Sequence, residues 1–517
     1  MSKTSSTEDN ANRPSQSDSP EQAPSVHEVD LKDEGEIFVR SLPPIVDEKK
    51  VIRKIDMRII PILSLLYLMS FLDRGSIGNA NIEGLSVDLG LTGAQYNMCL
   101  TVFFFTYSVF EVPSNMMLKK LKPSIWLPTI MVAWGVCMTL MGIVKNYEGL
   151  LVARLFLGLT EAGLFPGVSY YLTLWYCRRD IQFRTAMFFS AASVAGAFSG
   201  LLAFAIAKMD GVGGLEGWRW IFILEGIATV LIAIMAFKLV VDFPDTAKFL
   251  NDQEREWVIW KLKYDTNKTK NAVQPSVMVE ENHDTTWAEV AKAFKDPQLY
   301  PQTLLYAAVL VPLYGVSLFL PTIVKNLGYT SSKAQLMTIP IYTVAAIASV
   351  VQAWVSDKFG LRSPLLVVNF CCMFIGYMLA MNVSAVDNPS ATYAGCYLVA
   401  LGLYPGIPGI ISWLSNNTAG SYKRGVSMGV QIGFGNLCGA IASQIYRAQD
   451  APQFKLGHGI EVMFICLGFI CIFILNVGYY IVNKRKRRLV AEGKCEHLTA
   501  AELSQMGDKS PYFLYAH

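Results

Sequence analysis

Arg154 and Glu161 stand seven residues apart in an apolar stretch, Ala153 to Tyr176, that is long enough to cross a bilayer. Seven residues make about two helical turns, so the two side chains share one face, roughly 20° apart in azimuth and about 10 Å apart along the axis. An ionisable group in hydrocarbon is costly unless it faces protein or a wet cavity, which makes each one a candidate functional residue. Arginine stays cationic, whereas a buried carboxyl can gain and lose a proton, so one residue can hold an anion while the other carries protons. The chemistry on offer is proton-coupled handling of an anion. The alternative is structural pairing with neighbouring helices, because polar side chains also join membrane helices.

A second charged pair lies earlier. Asp73-Arg74 interrupts an apolar run, IIPILSLLYLMSFLDRGSIGNANIEGL. At about 1.5 Å per residue from Arg58, Arg74 falls in the outer half of the membrane. Counting inward from Gly149 puts Arg154 at a comparable depth, with Glu161 deeper and near the midplane. Two arginines at one level with a carboxyl below them make a substrate site in a watery vestibule, with Glu161 as the proton-coupling group. Against this, Arg74 can snorkel to the outer head groups with Asp73 as its local partner. The small and amide residues Gly75, Gly78, Asn79 and Asn81 permit close helix contact or a local break.

Other polar residues at membrane depth have gating or structural readings. Glu111, followed by Pro113, Lys119, Lys120 and Lys122, is expected at an inner gate. Glu225, in GWRWIFILEG, is expected to pair with Arg219 or to cap a neighbouring helix, and Asp73 belongs to the same group. Gly158, Ala162 and Gly163 give small-residue spacing for tight packing, and Pro166-Gly167 should kink that span. Later spans carry almost no central charge but offer Tyr306, Tyr314, Tyr342, Trp413, Asn416, Gln431 and Asn436, with a Pro/Gly break at Tyr404 to Gly409. Of these, Tyr314 and Asn436 are the substrate candidates. Aromatic and amide groups opposite a charged wall would suit an organic anion, although aromatics at this depth more often pack or line the interface.

The elements that must hold these residues follow from hydropathy. The chain has 517 residues, 52% hydrophobic and 16% charged, and a mean hydropathy of +0.35. Such a composition indicates an integral membrane protein. Apolar segments fall near 58–79, 95–118, 125–144, 149–176, 183–208 and 218–242, then near 300–324, 333–355, 364–384, 391–415, 425–447 and 459–482. Twelve helices in two six-helix halves, all-α, is the expected architecture. Residues 1–46 form a Ser-, Glu- and Pro-rich tail expected to be disordered, 47–242 the first half, 243–299 a polar linker, 300–483 the second half and 484–517 a C-terminal tail. Asp47 to Arg58 reads as a short amphipathic surface helix. Asn251 to Lys263 and Thr285 to Lys295 are the linker's helical candidates.

Basic residues orient the chain. With both termini cytosolic, inner segments outnumber outer loops in Lys and Arg by about threefold, the run Lys484 to Arg488 included. No cleavable secretory signal is evident, so the first span directs insertion, and the plasma membrane is the expected location. The sequon at Asn382 falls in a short outer loop and is a possible glycosylation site.

Several classes are excluded. No Walker loop appears, which argues against an ATP-driven pump. His27, His283, His458, His497 and His517 are scattered, and the ten cysteines show no CxxC pair, so no metal site, cofactor or nucleophile is implied. The terminal basic run is a stop-transfer anchor at an anionic leaflet rather than a nucleic-acid patch. The lipid bilayer, a small organic anion and protons are the expected partners, with no nucleic acid and no requirement for an oligomer.

Particular motifs carry a resemblance. KIDMRIIP, FLDRGSIGNANIEGL, EVPSNMMLKKLKPS, ARLFLGLTEAGLFPGVSYYLTLWY, GWRWIFILEG and DFPDTAKFL, with LPTIVKNLGYTSSKAQLMTIPIY and SDKFGLRS later, resemble the major facilitator superfamily. Within it they are similar to the fungal allantoate permease type of anion:cation symporter, which includes nicotinate, pantothenate, biotin and allantoate importers. The resemblance implies the major facilitator fold, a central site between halves and proton-coupled uptake by alternating access. It also implies anion binding by Arg74 and Arg154 and proton coupling by Glu161. The superfamily's loop motif between the second and third helices is degenerate here, PSNMMLKKLKP, so no gating role carries over to that loop. Two other functions stay open: export of an organic-acid secondary metabolite, and a nutrient sensor that does not transport, which a short low-complexity tail disfavours. An enzyme is not expected.

Overall fold

In the computed structural model, the described residues are 46–177, 181–263, 287–383, 388–419, 421–451, 453–495, 498–499, 502–503 and 506–517. The expected disordered tail therefore lies almost wholly outside the described residues. Long apolar runs fold as helices because only a helix satisfies its own backbone in lipid. In chain order they are α1 (Glu48–Ile82), the short α2 (Leu85–Asp88), α3 (Gly93–Lys120), α4 (Pro123–Met141), α5 (Tyr147–Glu161), α6 (Leu164–Thr173), α7 (Ile181–Ile206) and α8 (Gly217–Leu239). The linker supplies α9 (Asp252–Lys263) and α10 (Trp287–Phe294). The second set is α11 (Leu299–Lys325), α12 (Ser331–Phe359), α13 (Ser363–Asn382), α14 (Pro389–Asn417), α15 (Ser421–Ile445) and α16 (Lys455–Ala491).

Counting α5 and α6 as one bent span gives twelve, six on each side of the linker. Eleven pass on length and hydropathy alone; α3 is diluted by Gln95, Asn97 and Glu111. Local chemistry sets the starts. Asp47 accepts from the Lys49 and Lys50 amides at α1, Thr92 and Gln95 form a capping box at α3, and Asn146 caps α5 through the Gly149 amide.

Three expectations about continuity are corrected. The segment from Asp47 to Arg58 is no separate surface helix but the start of α1; of the two readings of Gly75 to Asn81, α1 runs unbroken there and makes the close contact, since a Cβ on Gly78 would strike the Leu318 carbonyl of α11. The stretch from Tyr404 to Gly409 stays inside α14. The fourth span breaks at Ala162-Gly163, four residues ahead of Pro166, because proline fits the first turn of a new helix better than the interior of an old one.

Even numbers of crossings put Glu48 and Ala491 at one end of the bundle, here the terminal end; Glu83 and Lys325 mark the far end. Hydrogen bonds joining the halves gather at the far end. Lys325 Nζ and Ser331 Oγ both donate to the Ile82 carbonyl, each at 3.2 Å, and Gln335 donates to Glu83 at 2.9 Å. Thr101 meets Ser443 at 2.8 Å and Gln444 at 2.7 Å, and Asn97 donates to the Tyr446 carbonyl at 3.5 Å. The far end is closed.

At the terminal end, the linker ties to the first half through Lys54–Glu254 and Lys261–Glu48, both 2.5 Å. The last eleven residues fold back onto the second half. Trp413 and Asn417 donate to the Ala516 carbonyl, Asn483 pairs twice with Tyr515, and Lys486 donates to the Asp508 and Phe513 carbonyls.

Candidate functional site

α1, α3 and α5 meet α11 and α15 at the centre of the bundle. α5 comes close to α3 because Gly158 faces the Phe103 carbonyl and the Thr106 hydroxyl, where a Cβ would collide. That approach brings the two arginines together on one ring: the Arg74 guanidinium lies 5.5 Å and the Arg154 guanidinium 5.9 Å from the Phe103 centroid. Tyr107 and Tyr314 also flank Arg74, at 5.0 and 5.8 Å, so the ring faces supply electron density to a buried guanidinium.

Arg74 closes on Glu161, Nη2 to Oε1, at 2.5 Å. The same carboxylate oxygen accepts from Ser70 at 2.6 Å. Ser70 sits one turn before Arg74 on α1, so one helix face presents both donors. The second half enters through neutral groups. Arg74 donates to the Tyr314 hydroxyl at 3.2 Å, Tyr314 donates to Asn436 Oδ1 at 2.6 Å, and Asn436 Nδ2 donates to Glu111 at 3.0 Å. Five side chains from α5, α1, α11, α15 and α3 thus form one chain of contacts with a carboxylate at each end.

Arg154 is different. It is 1% exposed, and its Nε and Nη2 have no hydrogen-bond partner. A guanidinium carries five donors and cannot shed its charge, so donors left unfilled beside a second cation leave positive charge without a partner. Glu161 Oε2 and Glu111 Oε1 are likewise unfilled. Both arginines are buried in this conformation rather than open to a watery vestibule as the sequence led us to expect. Arg74 is 4% exposed, and a groove of about 490 Å³ lies elsewhere, lined by Cys137, Leu140, Val152 and Phe156 on α4 and α5. Access to the centre requires the halves to part.

The other expected residues sort by geometry. Glu111 sits in the central network rather than at an inner gate, because Asn436 reaches it across the halves. Asp73 is not the local partner of Arg74; it accepts from Trp134 at 3.0 Å and Thr229 at 2.9 Å, binding α1 to α4 and α8. Glu225 bonds the Ser76 hydroxyl instead of Arg219, while Arg219 pairs with Glu216 and donates to the Val144 carbonyl. Trp413 serves the C-terminal segment, and Gln431 donates to the Gln302 carbonyl within its own half. Asn382 is exposed at the end of α13 and donates to the Met378 carbonyl; the sequon's Ser384 lies outside the described residues. Ser70, Phe103 and Tyr107 were missed. The cue for Ser70 was its one-turn spacing from Arg74; nothing in the sequence points to the rings.

Twelve spans in two halves, closed at one end over a buried cluster of charge, define a multi-pass membrane transporter. The sequence model of the Major Facilitator Superfamily matches residues 63–443, and the chain belongs to that family of secondary transporters. It is 35% identical over 469 residues to an uncharacterized transporter of Schizosaccharomyces pombe, covering 90% of each chain. It is also 35% identical to the MFS-type transporter cnsO of Penicillium expansum, again over 90% of each. The high-affinity nicotinic acid transporter of Saccharomyces cerevisiae is 32% identical over 473 residues, 91% of this chain and 85% of that one. Among solved structures, an inward-facing bacterial homolog of the human lysosomal transporter Spinster superposes with a TM-score of 0.60 at 14% identity, covering 83% of this chain and 96% of that one. The proton:xylose symporter XylE also gives 0.60 at 14% identity, with 80% and 95% covered. Both likenesses concern fold alone. All are transporters, and the chain is not an enzyme.

Proposed function

We propose that this transporter imports a small organic anion together with protons by alternating access, with both termini on the cytosolic side. The observation that carries the reading is the unequal treatment of two buried arginines that share Phe103: Arg74 is held by Glu161, while Arg154 keeps unfilled donors. Glu161 then acts as a stand-in anion. When it takes up a proton its hold on Arg74 weakens, and Arg74 turns to the carboxylate of the cargo beside Arg154. Loss of the cargo lets Glu161 ionise and reclaim Arg74. Proton and anion are therefore bound together and released together, which is what symport requires. Tyr314 and Asn436 line the opposite wall and contact the body of the cargo.

The relative from Saccharomyces cerevisiae makes nicotinate the first cargo to try. The test is uptake of labelled nicotinate, pantothenate, biotin and allantoate into a host lacking its own carriers, at two external pH values. Wild type accumulates one of them better from acid medium. Glu161→Gln retains binding or exchange and loses the pH dependence. Normal proton-driven uptake by Glu161→Gln removes Glu161 from the mechanism.

A further inference from the structure

Glu461 lies two turns into α16, fully buried, at the far end of the second half. Both of its carboxyl oxygens lack a hydrogen-bond partner. Gly315 on α11 makes the space, since a Cβ there would strike the Glu461 carboxyl and crowd the Tyr446 ring. The titratable groups around it are neutral ones. His458, one turn earlier on the same helix, bonds the Tyr446 hydroxyl at 3.1 Å through Nδ1. α13 contributes Tyr377, whose ring lies 5.6 Å from His458 and whose hydroxyl is also unfilled. α14 contributes Cys396. Among the described residues, no lysine or arginine offsets the charge.

The cluster adjoins the far-end closure. Tyr446 is the residue whose carbonyl receives Asn97 from the first half, and it follows Ser443 and Gln444, which bind Thr101. Its ring stacks on Phe319 at 4.9 Å and touches Phe454 at 5.7 Å. Phe454 is held at φ 45°, a left-handed conformation that in a non-glycine residue persists only where packing enforces it. An ionised carboxylate in this setting would have no counter-charge and no hydrogen bond in place, whereas the neutral acid costs less to bury.

We propose that Glu461 is a second proton-binding site of this transporter, placed behind the far-end gate, and that its protonated form belongs to the closed gate. Loss of the proton leaves a bare charge under Tyr446, and the cluster gains water only by opening. A proton entering from the far side thus favours closure over a loaded centre. The inference rests on the alternating-access part of the function proposed above and is independent of the cargo.

The test uses purified full-length protein in lipid nanodiscs, without cargo, in a background lacking the exposed cysteines Cys371 and Cys466. Spin labels at Val87 and Lys333, both exposed at the far end, report the gate distance at acid and alkaline pH. The expected result is a closed gate in acid and a growing open population in alkali for wild type, a pH-dependent opening that persists in Glu161→Gln at whatever midpoint even though its uptake no longer follows pH, and a gate closed at both in Glu461→Gln. In parallel, the infrared carbonyl band of protonated carboxylic acids falls in alkali, and in the Glu161→Gln background the remaining loss disappears when Glu461→Gln is added. Gly315→Ala, which crowds the closed form, moves the closing midpoint to lower pH. A pH response retained in Glu461→Gln, or an unmoved midpoint in Gly315→Ala, overturns the proposal. A response abolished by Glu161→Gln instead assigns it to the central pair, so the second site falls while the proposed function stands.

Discussion

The two halves match in helix count and differ in where they keep charge. The first half buries Asp73, Arg74, Arg154, Glu161 and Glu225 at membrane depth, and it partners most of them internally, Arg74 with Glu161 and Asp73 with Trp134 and Thr229. The second half meets that centre with a hydroxyl and an amide, Tyr314 and Asn436. Apart from Glu461 at the far end, its buried charged residues sit at the terminal end, where Lys423 bridges Asp296 at 2.6 Å and Asp508 at 2.8 Å. A rocking transporter gains from this division. An ion pair kept inside one rigid body survives the motion, while the contacts that must break at each cycle are single hydrogen bonds, half of them between neutral groups and worth about 1 kcal/mol each.

The largest way to break the contrast is to remove the cation that has no partner. Arg154→Ala leaves the anion uncompensated in a site that excludes water, a loss of about 2–5 kcal/mol, and uptake should fall at least about thirtyfold. Arg154→Lys restores the charge without the planar fork and should recover part of it. If Arg154→Ala transports normally, the unfilled donors are not an anion site.

The second half's charges should behave as staples. Asp508→Ala takes one of two carboxylates from Lys423 and the acceptor from the Tyr515 hydroxyl, and it should cost about 2 kcal/mol of stability. The checks are a lower thermal midpoint in detergent and faster proteolysis of the C-terminal segment, with the pH dependence of uptake unchanged. A changed pH profile would place charge chemistry in both halves and erase the distinction.

A finer probe is the wall opposite the arginines. Tyr314→Phe deletes the hydroxyl that links Arg74 to Asn436, worth about 1 kcal/mol. Apparent affinity for cargo should weaken roughly fivefold while proton coupling persists. Loss of coupling instead would mean that the proton path crosses between halves.

How much of this could be read beforehand depended on range. Spans and charged positions were legible because a single Arg or Glu stands out in a run such as SFLDRGSIG. Partners were not, because Arg74 and Tyr314 are 240 residues apart and no periodicity encodes which helices adjoin. Local sequence left open whether Gly75 to Asn81 would break the helix or pack closely, and tertiary contact decided it: the Asn79 amide is satisfied by Ser199 at 2.6 Å and the helix stays whole. Glu461 was overlooked because an acid in the opening turns of an apolar helix reads as a head-group residue. Only packing against Gly315 reveals its burial.

The smallest expected effect concerns the linker, which must follow the first half for the halves to move as units. Lys54 on α1 donates to Glu254 on α9 at 2.5 Å. That hydrogen bond, aided by the Asn251 amide, holds the Glu254 carboxyl below the usual glutamate range. A lowered value means the carboxylate's contribution is complete above the unfolded glutamate range and is lost as pH falls through the lowered one. The Lys54 side chain is 36% exposed, so solvent screening limits the pair to about 0.2–1 kcal/mol. Lys54→Ala should therefore raise amide exchange in α9 by up to about fivefold at neutral pH, with the difference from wild type vanishing in acid once Glu254 is protonated. An equal difference at both pH values would show that Lys54 holds α9 by packing its alkyl chain rather than by charge, and the linker would then be tied to the first half by the same apolar means that hold the spans together.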